Sequence, residues 1–307
     1  MTPARGPSAT TLASLKSPLD RLYAAFNDAD ATTDPIQAVR RYRRPDDQEI
    51  VAFCAAGLAF GRVASVLAAT DALLEVMGPH PAAFVRRFEP DRHRDRMRHL
   101  GHRWIRHDDL VALLWVLGQM LSEAGSLEAS FVAGLATDDS DVGSALDHFS
   151  RRAREYDLDA AYGRPVSGRR GVHYFFPEPS QGSACKRLNL FLRWMVRRDA
   201  VDLGLWRGVT PSQLIVPLDT HIIRVGRCLR LTRYKSPGWG MAREITASLR
   251  RIDPEDPVRY DFSMCHLGMM EACGFNRPQR DEQCPLRGVC RPGGRRRRVS
   301  AGPFAQR

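Results

Sequence analysis

Apolar residues recur three or four positions apart along almost all of this 307-residue chain, and that regularity leaves room for little but helices. Leu19, Leu22, Tyr23 and Phe26 form one stripe, and Ile50, Phe53, Cys54, Gly57 and Leu58 form a second. Val63, Val66, Leu67, Leu73, Leu74 and Val76 continue the pattern, as do Leu110, Leu113, Leu114, Leu117 and Leu121. Each stripe gives a helix one face to bury against its neighbours. Only Val172 to Phe176 and Leu214 to Val216 are alternating or short enough to read as strands. Polar breaks such as Gly78-Pro79-His80-Pro81 and Thr137-Asp138-Asp139-Ser140 separate the stripes. The expectation is an all-α fold.

The chain is longer than the ~100–200 residues usual for one domain, which points to one large domain or two interlocked lobes. The first 16 residues carry Pro, Ser and Thr without an apolar signal core and read as a flexible tail. Residues 17–291 then form the folded body, and residues 292–307, with Arg295 to Arg298, a basic disordered extension. No stretch approaches the ~18–20 apolar residues needed to span a bilayer. The formal net charge of +11 favours a polyanionic partner, nucleic acid ahead of an anionic membrane surface. A cytoplasmic, nucleoid-associated monomer is expected. Arg92 to His107 holds six arginines and four histidines, which reads first as solvated surface and second as a place for phosphate.

Of 46 basic residues only Lys16, Lys186 and Lys235 are lysines. Arginine serves a positive surface equally well but cannot lose its proton, whereas lysine can, and can then attack a carbon to form a Schiff base. Lys186 opens a helical segment with Ser183 as its expected N-cap, and on a helical wheel Lys186, Asn189, Arg193 and Arg197 share one face. The plainer reading of that face is a set of DNA contacts, and the two roles are compatible. Asp219 precedes the amphipathic run Ile222, Val225, Gly226 and Leu229 and reads as its N-cap. A capping carboxylate is also aimed, as a general base or a stabiliser of a growing sugar cation needs to be. Cys265, Cys273, Cys284 and Cys290 follow one another as C-x7-C-x10-C-x5-C, a set that suits an iron–sulfur cluster. The paired C-x2-C knuckles of zinc ribbons are missing, so zinc comes second and unligated cysteines third.

Leu218-Asp219-Thr220-His221-Ile222-Ile223-Arg224-Val225 resembles the V-D-T-H-x-x-R-V segment of helix-hairpin-helix DNA glycosylases of the endonuclease III type. Lys186-x-x-Asn189 is similar to the lysine-bearing turn of their bifunctional members, and Cys273 with Cys284-Pro285-Leu286-Arg287-Gly288-Val289-Cys290 to their iron–sulfur loop. The three motifs stand in the same chain order. Gln48 to Val76, Lys186 to Val196 and Asp261 to Arg291 look closest to a bacterial branch of unknown function, and the likeness runs from about Leu19 to Arg291. The resemblance implies a two-lobed helical fold and base excision from duplex DNA carrying a damaged, oxidised base or an abasic site. Asp219 would be catalytic, Lys186 the Schiff-base nucleophile, and a [4Fe–4S] cluster would sit on Cys273, Cys284 and Cys290 with Cys265 or Asp281. Arg62 and Arg224 join Asn189, Arg193 and Arg197 as candidate DNA contacts. The chain departs from the family where L-P-G-x-G should precede the lysine: it reads Phe176-Pro177-Glu178-Pro179-Ser180-Gln181-Gly182-Ser183. The other reading is a structure-specific nucleic-acid binder without catalysis on the same scaffold. Tyr174, Phe175, Phe176, Trp206 and Trp239 are the candidate aromatics for stacking on an extruded base.

Overall fold

Prolines set the starts of several helices. Pro45, Pro81 and Pro90 each stand in the first turn, where the missing N–H costs nothing and the fixed φ is already helical. The computed structural model describes residues 9–28, 34–165, 171–269, 284–286 and 288–290, and among these α-helices dominate. The first half comprises α1 (Ala9–Phe26), α2 (Ile36–Arg40), α3 (Pro45–Leu58), α4 (Val63–Met77), α5 (Pro81–Arg86), α6 (Pro90–Met97) and α7 (His107–Ala124). The second half comprises α8 (Leu127–Val132), α9 (Gly143–Glu155), α10 (Leu158–Tyr162), α11 (Lys186–Val196), α12 (Thr220–Cys228), α13 (Trp239–Arg250) and α14 (Asp261–Met269). The all-α expectation stands. Among the described residues no helix is long and apolar enough to cross a membrane.

Two local expectations are corrected. Gly171–Tyr174 winds into a 3-10 turn, while Leu214 to Val216 runs extended and buried, with Val216 N–H donating to Thr246 Oγ1 (3.0 Å). Paired strands occur instead at β1 (Gly101–His102) and β2 (Ile105–Arg106), a small antiparallel hairpin. The tail read over residues 1–16 is also too long. α1 already begins at Ala9, and Leu12 and Leu15 are buried in the core.

One apolar cluster runs from Leu12 to Leu286. α3 lies at its centre against α2, α4, α5 and α11, and α7 packs on α5, α6, α8 and α10. α12 lies along α14, which in turn packs on α1. The polar side chains that α3 buries cap its neighbours. Glu49 accepts from the backbone N–H groups of Leu127 and Glu128 (both 2.9 Å) and from Trp206 Nε1 (2.8 Å), while Asp47 accepts from Ala82 N–H (2.8 Å). Carboxylates at helix N-termini satisfy donors that no intrahelical bond can reach. The core is thereby tied together by charge as well as by burial, and α11 and α12 are held in fixed relation over it.

Candidate active site

α11 begins abruptly. Its N-cap is Cys185 rather than Ser183, and Cys185 takes a left-handed backbone conformation (φ 47°) that is unfavourable for a non-glycine residue. The turn is held from several sides. Ser183 Oγ accepts from Cys185 N–H (3.2 Å), and Asn189 Nδ2 donates to the Ala184 carbonyl (3.1 Å). The Cys185 thiol donates to the Pro177 carbonyl (3.4 Å), and burial pushes it up to about 12, so it stays protonated. Strained backbone kept this firmly marks a position where geometry matters. The residue it delivers is Lys186, half-buried, whose Nζ donates to the Ala59 carbonyl (3.3 Å).

Asp219 is the N-cap of α12, as expected: its Oδ1 accepts from Ile222 N–H (2.7 Å). Its Oδ2 accepts from the Cys265 thiol on α14 (3.1 Å). Burial, reinforced by the Asp219 and Asp261 carboxylates, pushes that thiol well above its ordinary range, and the Lys186 ammonium acts on it in the opposite sense. Lys186, 33 positions before Asp219 in the chain, thus shares an electrostatic environment with it around one sulfur atom. Both Lys186 and Asp219 remain partly exposed, so a substrate can reach them.

The other residues of the α11 face do not meet solvent, which corrects their reading as DNA contacts. Asn189, Arg193 and Arg197 are buried. Arg193 pairs with Asp202 (3.2 Å) and Asp261 (2.6 Å), and Arg197 with Asp256 (2.8 Å), Asp199 (2.9 Å) and Asp202. These guanidiniums anchor α11 to α14 and the intervening loop. The exposed basic face belongs to α12, where Arg224 and Arg227 lie a turn apart, followed by Arg230. Arg62, just before α4, is likewise exposed. Where the glycosylases it resembles carry a hairpin, Pro179–Gln181 forms a 3-10 turn, and the N–H groups of residues 180–182 are taken. Ser180 N–H donates to Asp147 (3.1 Å), Gln181 N–H to the Glu178 carbonyl (3.2 Å) and Gly182 N–H to the Pro179 carbonyl (2.8 Å).

Of the expected metal ligands, Cys265 on α14 donates its thiol hydrogen to Asp219. Cys273 and Asp281 lie outside the described residues. The Leu286 carbonyl accepts from Val289 N–H (3.3 Å) and Cys290 N–H (3.1 Å), folding Cys284 and Cys290 onto one tight loop against the core. Among the described residues no group of three or more His, Cys, Asp or Glu side chains is placed to hold a metal ion.

Of the candidate stacking aromatics, Phe175, Phe176 and Trp206 are buried core, and Tyr174 and Trp239 are partly exposed. A groove of about 320 Å³ is lined by Asp141, Arg233, Tyr234, Arg243 and Arg250 among others, and neither Lys186 nor Asp219 is part of its lining. Two of its arginines are already matched, Arg243 by Asp141 (2.9 Å) and Arg233 by Glu244 (2.7 Å). What sequence reasoning missed are the Cys265–Asp219 contact, which joins α14 to α12 across 46 positions, and Arg227 and Arg230, which extend the exposed row that Arg224 begins. The row was visible as i, i+3 spacing; the contact had no local signal.

The family described as protein of unknown function (DUF2400) matches residues 34–270. No curated protein and no solved structure matches the chain.

Proposed function

We propose that this chain, which belongs to the DUF2400 family, is a base-excision DNA glycosylase with abasic-site lyase activity, acting on damaged bases in duplex DNA. The observation that carries the reading is the left-handed turn at Cys185 that delivers Lys186 to the start of α11, with Asp219 aimed by Ile222 N–H and the Cys265 thiol. A structural lysine needs no strained turn to deliver it, and in a chain this rich in arginine a phosphate contact needs no lysine. The Asp219 carboxylate, held by Ile222 N–H and the Cys265 thiol, opposes the positive charge that grows on the sugar as the base departs. Lys186 Nζ gives up a proton and bonds to the sugar's anomeric carbon as the C–N bond to the base breaks, the base leaving with that electron pair and taking up a proton. At an abasic site the C1′ hydroxyl leaves instead as water, and the sugar ring opens as the amine loses its remaining proton. The resulting imine then permits strand cleavage by elimination. Extruding a nucleotide costs a few kcal/mol and is cheapest at damaged or mispaired sites, which gives the enzyme part of its selectivity. Exposed Arg62, Arg224 and Arg227 are available to the phosphates.

Cys273, Cys284 and Cys290, with Cys265 or Asp281 as the fourth, are the residues that would hold a [4Fe–4S] cluster. Such a cluster would pin the C-terminal loop, and no step above passes through it. Brown protein containing iron and sulfide after anaerobic purification supports it; colourless protein with stoichiometric zinc refutes it.

Borohydride reduction of the protein with duplexes carrying abasic, oxidised or alkylated sites tests the reading. Wild type should become covalently joined to abasic DNA, and Lys186→Arg should abolish the adduct with DNA affinity nearly unchanged. Asp219→Asn should slow base release by orders of magnitude while still capping α12, because Asn caps almost as well as Asp. Trapping that survives in Lys186→Arg removes Lys186 from the chemistry. If no lesion yields an adduct or a free base, the second reading, a non-catalytic structure-specific binder, replaces this one. It is favoured by the occupied N–H groups of residues 180–182, which stand where the resemblance to glycosylases implies a grip on phosphate.

A further inference from the structure

The β1–β2 hairpin breaks two local rules at adjacent residues. Arg103, in its two-residue loop, is left-handed (φ 55°), a conformation that such loops usually assign to Gly or Asn. Trp104 beside it is 57% exposed, one of three large hydrophobic side chains so placed among the described residues. Stability accounts for neither, and local rules broken together are a mark of function.

The surroundings of Trp104 are built. Its indole stacks on Phe60 (centroids 4.5 Å apart, planes at 27°) and meets Tyr174 edge-on (5.4 Å, 89°). Phe60 is held in turn by Tyr174 (5.2 Å) and His102 (4.5 Å), and its carbonyl accepts from His102 Nε2 (2.8 Å). The Arg187 guanidinium lies over the Tyr174 ring, 3.1 Å from its centroid. Residue 59, whose carbonyl takes the Lys186 ammonium, is the chain neighbour of Phe60, so the aromatic stack adjoins the start of α11. Around it Arg62, Arg103 and Arg106 are exposed and form no ion pair with a described carboxylate. Arg92, Arg94 and Arg98 of the same basic stretch are paired with Glu89, Asp108 and Asp95.

We propose that Trp104, seated on Phe60, is a stacking platform for an unpaired nucleobase, with Arg62, Arg103 and Arg106 holding the flanking phosphates. An aromatic face offers sequence-tolerant stacking, and unpaired cations beside it supply the charge that a phosphodiester chain requires. The proposal rests on the nucleic-acid partner proposed above but needs no chemistry at Lys186.

Intrinsic tryptophan fluorescence of the full-length protein provides the test: of its five indoles Trp194 and Trp206 are buried, Trp115 and Trp239 are partly exposed and Trp104 is exposed, and the Trp104→Ala variant isolates its share. Short oligothymidylate should quench the emission, and an abasic oligomer with the same number of phosphates should quench little. Trp104→Ala should lose the quenching and bind oligothymidylate roughly tenfold or more weakly, while Trp104→Phe keeps most of the affinity. Circular dichroism confirms that both variants fold. Equal binding of abasic and base-bearing oligomers, or an unchanged affinity in Trp104→Ala, overturns the proposal. So does an emission shift with vesicles of anionic phosphatidylglycerol and none with oligothymidylate, which would assign the patch to a membrane surface. Quenching without any base release or adduct refutes the excision reading and supports the platform; excision without quenching refutes the platform alone.

Discussion

Asp261 is fully buried between α11 and α14, where Arg193 Nη1 donates to its Oδ2 (2.6 Å) and its Oδ1 has no partner among the described residues. The local cluster sets two guanidiniums, Arg193 and Arg197, against the carboxylates of Asp199, Asp202, Asp256 and Asp261. Negative charge is in excess, so a proton has to be retained somewhere. Burial, only partly offset by Arg193, pushes Asp261 up to about 7. An unfolded aspartate titrates near ~4. Between those values the folded protein keeps a proton that the unfolded chain has released, so stability falls as pH rises through that window. Asp261→Asn removes the titrating group but keeps an oxygen for Arg193. Urea unfolding across about pH 4 to 8 should show a falling stability in wild type and a flatter profile in the variant; equal slopes would assign the proton elsewhere. The Cys265 thiol follows the same logic: burial, then the neighbouring carboxylates, keep its proton in place, and it donates that proton in a hydrogen bond to one of them.

Helices are where the sequence was most legible. The apolar stripes of α3, α4 and α7 are buried much as their spacing implies, and Asp219 before an apolar run was enough to place the start of α12. The wheel of α11 was right as geometry and wrong as orientation. Spacing puts Lys186, Asn189, Arg193 and Arg197 on one face, but whether that face meets DNA or the interior depends on Asp202 and Asp261, which arrive from other segments. Close helix crossings were equally invisible. At Gly118 of α7 an added Cβ would stand 2.7 Å from the Val85 carbonyl oxygen of α5. In an open helix Gly→Ala stabilises by about 1 kcal/mol. Here backbone has to move, and overpacking of this kind costs about 1–3 kcal/mol. Gly118→Ala is therefore expected to lower the melting temperature, with a gain in stability showing that α5 and α7 can part freely.

At the scale of the whole molecule, residues far apart in sequence close the structure. Tyr260 Oη donates to Asp20 (2.7 Å) and Tyr23 Oη to Asp199 (3.1 Å), so α1 is bound to segments near the other end. Low hydrophobicity at the N-terminus suggested a free tail, yet Leu12 and Leu15 each bury a side chain worth about 1.5–3 kcal/mol. Removing residues 2–17 should therefore lower the unfolding free energy by roughly 3–6 kcal/mol, read by urea denaturation; unchanged stability would return that stretch to the status of a tail. The Lys16–Asp20 surface pair lost with it contributes little. The Cys265–Asp219 contact has a further consequence for the order of events during synthesis. Lys186 and Asp219 leave the ribosome before α14 does, and the carboxylate's second oxygen waits for a partner 46 positions further on. Contacts of long sequence separation form late because loop closure has to precede them. A nascent or truncated chain that ends before α14 thus carries Lys186 and Asp219 without the thiol that holds the carboxylate, and only translation through residue 265 supplies it.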